Sequence, residues 1–175
     1  MTKANSPAAE THDIPPFFDS DSRILILGSF PSVKSRESGF YYGHPQNRFW
    51  RMLAAVFNTP IPHTIEEKQA FLRARHIALW DVVASCTIRG SADSSISDVS
   101  ANDIALILRT ARIEAVLLNG KTAQKLFNRY LAAETEKFGC AVFTLPSTSP
   151  ANAAFSLERL AAEWRNAVLS LNYAQ

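Results

Sequence analysis

The stretch ILILGSFPS, residues 24–32, decides how the rest of the chain is read. Four apolar residues with no polar alternation describe a strand covered on both faces, the signature of a parallel sheet held between helices. The glycine, serines and proline behind it mark where that strand leaves the sheet. In such sheets ligands bind outside the carboxyl ends of the strands, so the residues after each strand carry the functional question.

Three further runs share this character, at 77–80, 115–118 and 141–145. Helix-length segments lie between them. Ala123, Leu126, Phe127, Tyr130 and Leu131 fall at i, i+3, i+4, i+7 and i+8, and Leu157, Leu160, Ala161, Trp164, Ala167, Val168 and Leu171 keep that spacing over further turns. Ser100 followed by Asp103 resembles a capping box opening a helix over 104–110. The alternation predicts right-handed crossovers and a three-layer α/β/α sandwich with a central four-stranded parallel sheet. Residues 1–15 show no periodicity, so the expected organisation is a flexible N-terminal tail at 1–20 and a single domain at 21–175.

At 175 residues, 47% of them hydrophobic, the chain suffices for one core. A formal charge of +2 and a pI near 8.6 announce no basic field over the whole surface, and leave a local basic cleft compatible. Cys86 and Cys140 lie far apart and lack Cys or His neighbours at ligand spacing. The expectation is therefore no metal site, no disulfide scaffold, and two buried thiols in a reducing cytoplasmic compartment. No stretch approaches the roughly 20 apolar residues of a membrane span.

The 28–32 turn has neither the Gly-X-Gly-X-X-Gly of a dinucleotide loop nor the Gly-Lys-Ser/Thr of a phosphate loop, so no nucleotide cofactor is expected. Gly28 is read as supplying an unusual backbone angle and Pro31 as fixing another. LPSTSPANAAF, residues 145–155, brackets Ser147, Thr148 and Ser149 between Pro146 and Pro150 ahead of a helix. Backbone N–H groups and hydroxyls there suit an anion such as a phosphate; the plainer alternative is a cap from Asn152 or Ser156. FYYGHPQNRFWRML, residues 40–53, sets His44 and Asn47 among aromatic rings where core packing has no need of them.

GSFPS, YYGHPQNRFW, LWDVV and LPSTSPANA, in this order, resemble the uracil-DNA glycosylase superfamily, with the nearest likeness to its DNA-deoxyinosine (hypoxanthine-DNA) glycosylase branch, across about residues 22–170. One departure is informative. Where the better-known uracil branches carry an Asp or Asn to position the attacking water, this chain has Phe30, and a phenyl ring cannot hold water. The resemblance implies that the catalytic task passes to Asn47, whose neutral amide accepts from and orients a water while its N–H2 bonds elsewhere. Asn47 also fits as N-cap of a helix over 48–57.

The resemblance further implies a base-binding set of Gly28, Ser29, Phe30, Tyr42, His44 and Asp81, with Tyr42 as stacking platform and Asp81 accepting N1–H of hypoxanthine. His44 bonded within its loop and Asp81 as a turn residue are the alternatives. Ser147, Thr148, Ser149, Asn119 and Lys121 are the expected DNA contacts, Asn119 and Lys121 reading equally well as an ordinary strand-to-helix turn. Trp50, Trp80 and Trp164 are expected in the core. Pro150, Ala151 and Asn152 stand where relatives carry a bulky wedge. Lys34, Arg36, Arg48, Arg51, Arg89 and Lys121 form a basic rim interrupted by Glu37.

The activity so implied is hydrolysis, without cofactor, metal or covalent lysine, of the bond between hypoxanthine and deoxyribose. The expected enzyme is a monomer acting on DNA that contains deoxyinosine. Two readings stay open: a uracil- or mismatch-directed glycosylase, and a non-catalytic nucleic-acid binding module of the same fold.

Overall fold

The computed structural model describes residues 8–89 and 93–171. Its strands are β1 (Ala8–Thr11), β2 (Ile24–Gly28), β3 (Ile77–Asp81), β4 (Val83–Ile88), β5 (Ser97–Ala101), β6 (Ala115–Asn119) and β7 (Ala141–Leu145). Its helices are α1 (Val33–Ser38), α2 (Phe49–Phe57), α3 (Ile65–Ala74), α4 (Ala105–Thr110), α5 (Lys121–Tyr130), α6 (Ala132–Glu136) and α7 (Leu157–Leu169).

The four apolar runs form one parallel sheet in the order β3-β2-β6-β7. β2 lies inside it, which is why its apolar run is unbroken: Ile24, Leu25, Ile26 and Leu27 are all at most 1% exposed. Ile24 pairs with Ile77 on one side and with Ala115 on the other, and this register brings Gly28 opposite Asp81. Asn119 ends level with Leu145. The chain leaves β2 toward β3 and later crosses to β6, so the order reverses beside β2, where a crevice opens at the strand ends. β7 differs from the expectation of a strand covered on both faces. It is an edge strand with Val142 43% exposed and only Leu145 buried.

Helices α2 and α7 pack together on one face, and α4, α5 and α6 cover the other, giving the three layers. The apolar stripes explain the attachment: Phe49, Trp50, Met52 and Leu53 of α2 and Leu160, Trp164 and Val168 of α7 are buried. All three tryptophans lie in the core, as expected. Ser156 caps α7, accepting from the N–H of Arg159. The capping box expected at Ser100 does not form, because Ser100 is paired within β5. Asp103 instead accepts from the N–H of Ala105 at the start of α4.

A second, antiparallel sheet in the order β1-β4-β5 joins residues 8–11 to two strands in the segment that follows β3, for which the sequence reading assigned no strand. Residues 90–92 of that segment, like residues 1–7 of the expected tail, lie outside the described residues. The tail expectation does not describe residues 8–20. β1 pairs along β4, Ile14 is buried, and Phe17 exchanges backbone bonds with Leu79 of β3. Ladder bonds and a few apolar anchors hold a segment with no periodic pattern of its own.

Candidate active site

A cavity of about 480 Å³ opens at the carboxyl ends of the parallel strands. The expected site residues reach its walls from five places: Gly28 ending β2 with Ser29 and Phe30 after it; Tyr42, His44 and Asn47 ahead of α2; Asp81 ending β3; Asn119 ending β6; and Ser147, Thr148 and Ser149 after β7. All the expected site residues except Lys121 line it. Lys121 is the first residue of α5 and is exposed outside the cavity. No helix among the described residues is long and apolar enough to cross a membrane. No group of three His, Cys, Asp or Glu side chains among them gathers as metal ligands do.

Asn47 sits one residue before the cap of α2, and its Oδ1 accepts from the N–H of Phe49 at 3.0 Å. A backbone N–H only donates, so this bond fixes which end of the amide is oxygen. The Thr148 hydroxyl donates to the same Oδ1 at 2.9 Å. Both acceptor positions are thereby filled, and Nδ2, with no hydrogen-bond partner among the described residues, is the polar atom that Asn47 offers the cavity. This reverses the expected division of labour, in which the oxygen faced the water. The helix-start role and the cavity role coexist in one side chain.

Thr148 is fully buried, and its hydroxyl accepts from Asn119 Nδ2 at 3.0 Å while its N–H donates to Asn119 Oδ1 at 3.0 Å. The expectation that Thr148 meets phosphate therefore fails. Its polar atoms face inward and hold the Asn47 and Asn119 amides in register. Asn119 in turn is brought against this loop by Gly120, at φ 99°, where an added Cβ would stand 2.9 Å from Ser147 Cβ.

The 146–155 loop is held by two residues to which sequence reasoning gave no part in it. Trp164 Nε1 donates to the Pro146 carbonyl at 3.0 Å. Arg48, read as a member of the basic rim, turns its guanidinium inward to the carbonyls of Ser149 at 3.0 Å, Asn152 at 2.9 Å and Phe155. Its N–H donates to the Thr148 carbonyl at 3.1 Å. Carbonyl recognition leaves no motif, and only the adjacency of Arg48 to Asn47 hints at it.

Tyr42 adopts φ 54°, a left-handed conformation uncommon for a bulky residue and often a mark of functional constraint. One face of its ring stacks on Phe49 at 3.8 Å and 18°. Gly28 has no positive φ; its lack of a Cβ serves space instead. An added Cβ would stand 2.5 Å from Asp81 Oδ1 and 3.2 Å from the Tyr42 hydroxyl. Asp81 is 4% exposed, and its carbonyl accepts from Asn102 Nδ2 at 2.9 Å. His44 Nδ1 accepts from the N–H of Gln46 at 3.1 Å, the loop bond expected as its alternative role. That bond leaves Nε2 as the available donor. Tyr41, buried in the cavity wall, donates to the Pro15 carbonyl at 3.0 Å. Burial, with the charge of Asp81 adding, raises its pKa far above the ordinary range and keeps the phenol neutral.

A buried carboxylate, a strained tyrosine and a hydrogen-bonded amide pair around a slot at the reversal of a parallel sheet describe a site for a flat polar ligand. The chain belongs to the uracil DNA glycosylase superfamily, whose family model matches residues 15–169. It is similar to a protein of Methanosarcina acetivorans named hypoxanthine DNA glycosylase, 34% identical over 86% of this chain and 92% of that one. A protein of the same name from Methanosarcina barkeri is 35% identical over 61% of this chain and 69% of that one. The solution NMR structure of a Methanosarcina acetivorans protein, described as a candidate uracil DNA glycosylase, superposes with a TM-score of 0.78 at 31% identity, covering 94% of this chain and 99% of that one.

Proposed function

We propose that this protein is a monofunctional DNA glycosylase that excises hypoxanthine from DNA, restoring sites of deaminated adenine to the repair path through an abasic intermediate. The observation that carries this reading is the fixed Asn47 amide, with Oδ1 engaged on both sides and Nδ2 left to the cavity. In the proposed reaction the target nucleotide leaves the duplex and its base lies against Tyr42 in the cavity. Nδ2 donates to the oxygen of a water and holds it below the sugar carbon. As the bond to the base lengthens, positive charge grows on the sugar and negative charge on the base. The water then attacks an already electrophilic carbon and its proton passes through solvent to the departing base anion, so position matters more than basicity. His44 Nε2–H supplies a donor toward the charge growing on the base.

Asp81, buried at the closed end, selects the base by its edge. A carboxylate accepts from N1–H of hypoxanthine and opposes the bare N1 lone pair of adenine, a mismatch that leaves two buried acceptors facing each other. Ser147 and Ser149, at the cavity mouth, with Lys121 beyond it, engage flanking phosphates. The enzyme acts as a monomer on deoxyinosine-containing DNA. The two thiols, Cys86 buried and Cys140 partly so, accord with a reducing cytoplasmic setting.

Base release from matched oligonucleotides carrying hypoxanthine, uracil or xanthine tests this reading, with wild type and Asn47→Ala side by side. Hypoxanthine is expected to leave fastest. Asn47→Ala is expected to slow it by about 10²–10³, the cost of removing one oriented donor elsewhere, with DNA affinity little changed. Faster release of uracil would move the assignment to a uracil-directed enzyme, and undiminished release by Asn47→Ala would remove the residue from its role.

A further inference from the structure

Phe30 lines the cavity, and it is itself held. The His12 ring meets it edge-on at 5.3 Å and 74°, and the Arg36 guanidinium lies 5.3 Å from its centroid. Arg36 is fixed in turn by Glu10 through an N–O contact of 2.6 Å. Glu10 belongs to β1 and His12 follows two residues later, so both project from the same side of an extended chain. Phe30 is thus clamped between one side of the N-terminal segment and α1.

We infer that the N-terminal segment is part of the base-recognition site: Glu10, through Arg36, and His12 directly fix the tilt of Phe30, and that tilt sets the width of the base slot. The inference rests on the proposed reading that this cavity takes the excised base. His12 and Arg36 are positioning residues, since both act through the phenyl ring. A ring packed on only one side swings on its χ1 and χ2 axes; one braced by an edge and a cation holds a single wall position. Tyr42 and Phe30 both line the slot, so a fixed separation admits a flat base of one thickness and outline and turns away bulkier ones.

The state of His12 belongs to the argument. Its Nε2 lies 2.8 Å from the Val83 carbonyl and therefore carries the proton, while Nδ1 is buried with no hydrogen-bond partner among the described residues. The groups facing the ring are Arg36 of α1, Asp13 next in the chain and the Val83 carbonyl of β4. Burial, and then the Arg36 charge, lower the His12 pKa against the opposing pull of the carbonyl and Asp13, so the clamp is built around a neutral imidazole. Acid that charges Nδ1 sets a second cation beside Arg36 and loosens the wall.

The test measures kcat and KM for hypoxanthine, xanthine and uracil release by the full chain with His12→Gln, Glu10→Gln and Phe30→Leu. Glutamine in place of His12 retains a donor for Val83 but not the ring edge; Glu10→Gln removes the ion pair at a partly exposed position and leaves the fold in place. Both are expected to lower the preference for hypoxanthine over the bulkier xanthine at least fivefold, raising KM more than they lower kcat. Wild type is expected to keep the preference through the ordinary histidine range and to lose it only at the more acid pH that charges the folded His12, whose pKa burial lowers, and His12→Gln to show no such dependence. An unchanged preference in both clamp variants, with Phe30→Leu altering it, overturns the clamp and keeps the slot. If Phe30→Leu also leaves the preference unchanged, the placement of the base against Phe30 is wrong.

Discussion

The smallest unit that matters is one hydroxyl. Thr148 donates to Asn47 and accepts from Asn119, so Thr148→Val keeps the shape and removes both bonds at once. Two half-buried amides each then lose one partner, a loss of about 1–3 kcal/mol in all. The expected outcome is a lower melting temperature, together with a kcat reduced tenfold or more at nearly constant KM, read from single-turnover and steady-state release. Gly28→Ala is expected to displace the Asp81 carboxylate, since the new methyl carbon falls 2.5 Å from its oxygen. Its signature is a changed ranking of bases that Asp81→Asn reproduces. These two residues also show what a sequence does and does not disclose. Asn47 stood out because a polar residue among rings has no packing reason. The true reason for Gly28 was hidden, because an angle and a close approach both call for glycine and only coordinates separate them.

At the scale of elements, Arg48 ties the start of α2 to the loop that precedes α7. Its guanidinium serves three carbonyls, and no other described side chain bonds all three. Arg48→Met keeps the aliphatic stem and abandons the carbonyls. It is expected to make residues 146–155 the first site of limited proteolysis and to reduce activity, because the loop that follows Thr148 loses its three carbonyl ties. Thr64→Ala serves as the contrast. It breaks the capping box of α3, in which Thr64 and Glu67 satisfy each other's N–H, at a cost of about 1 kcal/mol in thermal unfolding and none in catalysis. The parallel strands were legible because burial on both faces leaves an uninterrupted apolar run. β1, β4 and β5 were not, because an antiparallel sheet with solvent on one side admits the serines and threonines that loops also favour. The helices α5 and α7 were plain from their stripes; β5 concealed the start of α4, since Ser100 spends its backbone on strand pairing.

For the whole molecule, charge and pH dependence follow from which groups are engaged. Of the six basic residues that a linear reading assigns to the rim, Lys34 pairs with Glu37, Arg36 with Glu10, and Arg48 faces inward. Among the described residues Arg51, Arg89 and Lys121 are exposed and make no ion pair. Each phosphate neutralised contributes about 0.9 to the slope of log affinity against log salt, so the expected slope is about −3 or shallower on undamaged duplex. A slope far steeper would require cations outside this set. The lowered pKa of His12 means that the folded chain binds fewer protons than the unfolded chain below about 6.5. Stability from this group is therefore complete above that value and declines as pH falls through it, until the folded imidazole is charged as well. Melting curves across that interval are expected to steepen their decline in wild type relative to His12→Gln.

The stacking of Tyr42 on Phe49 continues inward, because Phe49 meets Trp50 edge-on at 5.0 Å. A chain of aromatic groups thus runs from the mouth of the enzyme to an indole deep inside. A purine laid on the outer ring extends this chain by one member, and the near-ultraviolet emission of the protein becomes its own gauge of occupancy. Titrating catalytically silenced Asn47→Ala with a deoxyinosine duplex is expected to quench that light, whereas a duplex already lacking the base leaves it undimmed.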